Sequence, residues 1–173
     1  MLSRHRLPEG LTLLSPTVLI ATVGGSGFLR PASGTFGTLA ALPFSVYLLF
    51  NYNPLTLFIS SIALFFIGLV VCADWNRKQQ NHIGLQKTAD PDPSMIVIDE
   101  AAGLFLTLAF APPTPAAVLT GFVLFRLFDI GKPWPVSWAD THLKGPMGIM
   151  LDDIIAGLMA GLLIYAATQI GVL

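Results

Sequence analysis

Residues 36–50, 55–73 and 154–173 carry no charged side chain. A helix rises about 1.5 Å per residue, so close to 20 residues are needed to cross a hydrocarbon layer of about 30 Å. The second and third runs approach that length, and the first does so if its helix starts in the glycine-rich stretch before it. The remaining composition agrees, with 54% apolar and only 11% charged residues, against about 25% charged in ordinary soluble domains. These features predict an all-α protein with several membrane-embedded helices, organised as one domain over residues 1–173.

The expected architecture is two helical hairpins, 36–50 with 55–73 and 95–111 with 116–128, followed by a C-terminal helix over 154–172. Asn51-Tyr52-Asn53-Pro54 and Pro112-Pro113-Thr114-Pro115 are the breakers between the arms. The arm 95–111 reaches the minimum crossing length only by including two carboxylates, so a shallow re-entrant hairpin is the alternative. Ser15-Pro16 predicts an earlier short helix. Residues 74–94 read as a solvent-exposed helix end and loop, and 138–144 as a polar link. The basic N-terminus followed by an apolar run resembles a signal peptide, but Pro16 and the lack of a small-residue cleavage site predict that it is retained.

Against this background the carboxylates stand out. One apolar run ends in Asp99-Glu100, a second leads through Arg126 to Asp129, and a third contains Asp152-Asp153. Burying a carboxylate near hydrocarbon is costly unless it is paired or binds a cation. Three acidic clusters bracketed by apolar segments therefore predict convergence on a cation. Two simpler accounts compete. Arg126 and Asp129 stand at i, i+3 and predict a local ion pair, and Asp152-Asp153 would be favoured by the dipole if they opened the last helix. Residues 24–38 hold five glycines and four hydroxyl side chains. Such a stretch can form an anion-binding nest with Arg30 as its charge partner, or a plain loop with helix caps at Thr35 or Thr38.

Several classes are excluded. A net charge of −1 leaves no basic footprint for nucleic acid, and the single cysteine, Cys72, rules out an internal disulfide or a multi-cysteine metal site. Cys72 and Arg77 are separated by four residues, one short of the cysteine-phosphatase loop, at the end of an apolar run. Asp90-Pro91-Asp92 has the spacing of the haloacid-dehalogenase nucleophile motif without the apolar strand that motif needs before it. Arg30-Pro31-Ala32-Ser33-Gly34-Thr35 lacks the histidine of the soluble acid-phosphatase loop.

Taken together, four segments resemble the phosphatidylglycerophosphatase A family, in order from about residue 24 to 160. They are Gly25-Ser26-Gly27 with 31–37, Ile96-Val97-Ile98-Asp99-Glu100 with Gly103, residues 125–129 with Lys132-Pro133-Trp134-Pro135, and residues 148–154 with Gly157. The resemblance implies a helical, Mg²⁺-dependent lipid phosphatase of the bacterial cytoplasmic (inner) membrane, converting phosphatidylglycerophosphate to phosphatidylglycerol and inorganic phosphate. The residue types fit: a carboxylate-held Mg²⁺ neutralises phosphoryl charge and activates water. Asp99, Glu100, Asp129, Asp152 and Asp153 form the expected ligand and general-base pool, with Ser26, Arg30, Thr35, Arg126 and Lys132 as phosphate binders. Water is the expected nucleophile, because no phospho-aspartate motif is present. The expected partners are the phosphatidylglycerophosphate substrate and the lipid membrane, with no nucleic acid and no protein. Two other classes compete. An ion-coupled transporter would carry mid-helix carboxylates and internal repeats, and a non-catalytic assembly subunit would use its acids only in salt bridges.

Sidedness follows from where the charges fall. Every charged residue lies in the N-terminal segment, in 74–100 or in 126–153, while both interhelical turns and the C-terminal end are uncharged. Two hairpins and a final helix bring all charged segments to one face, which the basic residues predict to be cytoplasmic.

Overall fold

The computed structural model describes residues 7–8, 10–83 and 94–173. The Asp90-Pro91-Asp92 motif and the basic residues Arg4, Arg6 and Lys87 lie outside them. Among the described residues the chain forms seven α-helices and no strand: α1 Pro16–Ala21, α2 Ser33–Asn51, α3 Pro54–Ile83, α4 Ile98–Leu108, α5 Pro115–Gly131, α6 Val136–His142 and α7 Gly145–Gln169. A 3-10 turn, Ser26–Phe28, precedes α2. The helices α2, α3 and α7 are long and apolar enough to cross a membrane.

The expected breakers work through capping. Asn53 Oδ1 accepts a hydrogen bond from the Thr56 backbone N–H at 3.0 Å as Pro54 opens α3. Thr114 Oγ1 does the same for Ala117 at 3.1 Å as Pro115 opens α5. Each satisfies an orphan donor of the first turn. Ser15-Pro16 starts α1 as expected.

Three local expectations are corrected. The last helix begins at Gly145, with Pro146 in its first turn, instead of near Ile154. Asp152 and Asp153 therefore sit about two turns inside it, and the dipole account of this pair falls. The polar link after Trp134 is partly the short helix α6. Neither Thr35 nor Thr38 caps α2: the N-cap is Ala32, without a side-chain cap, and Thr38 Oγ1 donates to the Gly34 carbonyl at 2.8 Å.

The fold is built around α4. Every residue from Ala101 to Leu108 is buried, as expected of a helix that is apolar on all sides, and α2, α3, α5 and α7 surround it. Its 11 residues reach about 16 Å, roughly half a bilayer core, so α4 by itself is too short to cross one. Small residues let α7 approach. A Cβ on Gly157 would collide with the Gly103 carbonyl oxygen, and one on Gly103 would lie 2.6 Å from the Asp153 carbonyl oxygen. Thr107 Oγ1 donates to the carbonyls of Gly103 at 2.9 Å and Gly157 at 3.2 Å, and Ser61 Oγ ties α3 to the Ala102 carbonyl at 2.8 Å. Close backbone approach with hydroxyl side chains bridging helices is how helices associate where lipid offers no hydrophobic drive. Phe44, Phe66 and Tyr165 are exposed on the outer faces and suit contact with lipid.

The crossing makes a stability prediction. Gly157→Ala should lose about 1–3 kcal/mol through overpacking, whereas Gly131→Ala, with no atom within 4 Å of the added carbon, should keep or raise stability. Thermal unfolding in detergent separates them, and equal midpoints would contradict the close approach of α4 and α7.

Candidate functional site

The antiparallel arrangement gathers the start of α2, the start of α4, the end of α5 and the third turn of α7 around a polar cleft of about 400 Å³. All five carboxylates expected from the sequence line it: Asp99, Glu100, Asp129, Asp152 and Asp153. Asp99 and Glu100 occupy the first turn of α4, where the helix dipole favours acids, and Asp99 Oδ1 accepts the Glu100 backbone N–H at 3.0 Å. Asp153 is 3% exposed. One oxygen from each of Asp99, Glu100 and Asp153 lies within 4.8 Å of the others, so this trio can hold a metal ion.

Two basic side chains line the same cleft. Arg126 Nη1 pairs with Asp129 Oδ2 at 2.5 Å, stands 3.9 Å from Glu100 Oε1 and donates to Thr38 Oγ1 at 3.3 Å. The local i, i+3 ion pair is therefore present, and both partners face the site. Gly34 makes room for this group, because a Cβ there would collide with Glu100 Oε1 and lie 3.1 Å from Arg126 Nη2. Lys132 caps α5 in the left-handed conformation, φ 43° and ψ 54°, which glycine usually supplies. Its Nζ is held by Asp140 and, at 2.9 Å, by Asp152. Burial works against the charged form of Lys132, but the hydrogen bonds to these two acids outweigh it and raise the pKa.

Other predicted binders are placed differently. Thr35 lines the cleft, while Ser26 and Arg30 do not. The Ser26 hydroxyl donates to the carbonyls of Thr22 and Val23, and Arg30 is exposed. Sequence reasoning missed Asp140, Thr38 and Gly34. Asp140 reaches Lys132 across a turn containing two prolines, a path that helical spacing does not reveal. Cys72 is buried in the core, as expected of a packing residue.

The charge balance is lopsided. Five carboxylates and two basic side chains line the cleft, leaving a formal excess of three negative charges. Burial pushes the Glu100 carboxyl up to about 8, with Asp153 and Asp129 adding to the rise while a hydrogen bond with Asp99 and the Arg126 charge oppose it. Glu100 Oε2 and Arg126 Nε are buried without a hydrogen-bond partner among the described residues. An oxygen-only, strongly anionic cluster with an orphaned carboxylate oxygen fits a hard divalent cation.

The phosphatidylglycerophosphatase A family model matches residues 19–168. The Escherichia coli (strain K12) protein named phosphatidylglycerophosphatase A is 35% identical over 169 residues, covering 95% of this chain and 92% of the relative. Its Haemophilus influenzae namesake is 35% identical over 157 residues, covering 90% and 91%. A third relative, from Bacteroides thetaiotaomicron, is 34% identical over 153 residues, covering 87% and 92%, and is named as a candidate phosphatidylinositol-3-phosphatase. No solved structure matches.

The raised Glu100 pKa gives a pH dependence whose sign is fixed. Its folded value of about 8 stands above the ordinary carboxyl value of 4.5, so protonated Glu100 stabilises the metal-free fold at low pH, and that stability is lost as pH rises through the folded value. With EDTA present, the thermal midpoint should fall between about pH 5 and 8, and Glu100→Gln should flatten that slope. Identical slopes for wild type and variant would contradict the burial of this group.

Proposed function

Because the chain belongs to the phosphatidylglycerophosphatase A family, we propose that it hydrolyses the terminal phosphomonoester of phosphatidylglycerophosphate, giving phosphatidylglycerol and inorganic phosphate. The observation that carries this reading is the meeting of Asp99, Glu100 and Asp153 with Arg126 and Lys132 in one cleft.

In this reading Asp99, Glu100 and Asp153 hold Mg²⁺. When bound, the ion supplies positive charge against the phosphoryl oxygens and acidifies water. The rest is the work of the chain's own side chains. Arg126 and Lys132 bind the phosphate oxygens, Arg126 with a planar fork and Lys132 as a point charge. Asp129 and Asp152 orient these cations, and Asp140 holds Lys132 in its left-handed turn. A carboxylate of the pool takes the proton of the attacking water as its oxygen bonds to phosphorus. The P–O ester bond breaks, and the leaving glycerol oxygen takes up a proton. The orphaned Glu100 oxygen and the anionic excess support the cation, and the family supports the substrate.

The site is proposed to face the cytoplasm from the inner membrane. The turn at residues 52–53 and the turn between α4 and α5 lie at the opposite ends of their helices from the cleft, and neither carries charge. Single cysteines at Asn53 and Lys144 in a Cys72→Ser background test this with a membrane-impermeant thiol reagent. Labelling at 53 and protection at 144 are expected in intact cells, and labelling at 144 before lysis would overturn the orientation.

The activity itself is tested by phosphate release from phosphatidylglycerophosphate by purified protein, with phosphatidylinositol-3-phosphate as a competing substrate class. Release should need a divalent cation and stop with EDTA. Asp99→Asn, Asp129→Asn and Asp152→Asn should each lower turnover at least about 100-fold, the loss of close to 3 kcal/mol of transition-state stabilisation. Near-normal turnover in all three folded variants would refute the carboxylate assignment.

A further inference from the structure

A lipid that presents its phosphate to the cleft must place its acyl chains somewhere, and two apolar grooves lie nearby. The larger, about 600 Å³, runs between α1, α2, α3 and α4. Val97, between Ile96 of the cleft lining and Ile98 of the groove lining, packs so close to α2 that a Cβ on Gly37 would collide with it. The smaller, about 340 Å³, follows the seam between α2 and α5.

The smaller groove continues the cleft. On α2, Thr35 borders the cleft and Leu39, Leu42, Val46 and Phe50 line the groove, a single stripe at three- and four-residue spacing. On α5, Arg126 borders the cleft, and Phe122, Leu119 and Val118 carry the same face away from it. Cleft and groove are thus two depths of one furrow. Leu39, Phe50 and Leu119 are exposed at its rims, while Leu42 and Val118 pack on the core to form its floor. From Leu39 to Phe50 the helix rises about 16 Å, the depth of one leaflet in a hydrocarbon core of about 30 Å.

The geometry points to the α2–α5 furrow as the seat of one acyl chain of a glycerolipid phosphomonoester, with its phosphate facing Arg126 and Lys132 at the polar end. This assignment rests on the lipid-phosphatase reading. The two parts are complementary: basic side chains meet the anionic headgroup, and a furrow lined only by apolar residues follows the chain. Lipid tails are themselves apolar, so the furrow contributes orientation more than affinity, delivering the phosphate to the cleft in a reactive pose.

The test uses phosphatidylglycerophosphate carrying a diazirine midway along one acyl chain, photolysed on ice with the full-length protein. Crosslinks should concentrate in residues 39–50 and 115–122 and be competed by unlabelled lipid. Val46→Trp, which fills the furrow, should reduce that labelling and lower kcat/KM for the diacyl substrate by about ten-fold, whereas Val70→Trp on the exposed face of α3 should stay within about two-fold of wild type. Crosslinks spread evenly over the outer faces of α2, α3 and α7, or a folded Val46→Trp with wild-type turnover, would overturn the furrow. If Val46→Trp fails to fold, the wild-type crosslink map decides. A wild-type protein that releases no phosphate from the lipid would sink the phosphatase reading instead.

Discussion

The structure depends on one electrostatic constraint: a carboxylate-rich cluster held at one end of a helical bundle that is otherwise almost uncharged. Burying charges away from water is unfavourable unless they are paired or bound to an ion. Arg126 and Lys132 offset only part of the negative charge of Asp99, Glu100, Asp129, Asp152 and Asp153. What remains is a formal excess of three negative charges, a lining whose chemistry suits a divalent cation, and such an ion would cut that excess to one. The same excess that makes these carboxylates costly to bury makes their cleft suited to holding a cation beside Arg126 and Lys132.

That cluster exists because backbones approach closely. Gly103 and Gly157 let α7 cross α4 near enough to bring Asp153 beside Asp99 and Glu100, and Gly34 lets the start of α2 approach Glu100 and Arg126. The hydroxyls of Ser61 and Thr107 bridge helices at the same level. Packing and chemistry are therefore not separable in this fold, since a side chain added at either crossing glycine displaces a carboxylate as well as a helix.

Much of this was legible in the sequence, and the gaps have physical causes. Uncharged runs identified α2, α3 and α7 because a membrane-length helix is a composition signal, and Asn53-Pro54 and Thr114-Pro115 marked turns through capping chemistry that acts locally. The five carboxylates were legible because acids are conspicuous among apolar neighbours. The true start of α7 was not, since Gly145-Pro146 reads as a loop until the helix is seen to begin at that proline. Nor were the placements of Ser26 and Arg30, whose glycine-rich segment looks like an anion nest but turns so that only residues 31–35 reach the cleft. Asp140 was invisible because its partner lies across a turn and not along a helix face.

The central claim is that Asp99, Glu100 and Asp153 together bind a divalent cation. It is tested most directly by titrating Mn²⁺, a paramagnetic stand-in for Mg²⁺, into the purified protein and following the free ion by electron paramagnetic resonance. The account predicts saturable binding to the wild-type protein that Mg²⁺ displaces and that is lost when all three residues are replaced by their amides. Binding that persists in the folded triple variant, or its absence from the wild type, would contradict it.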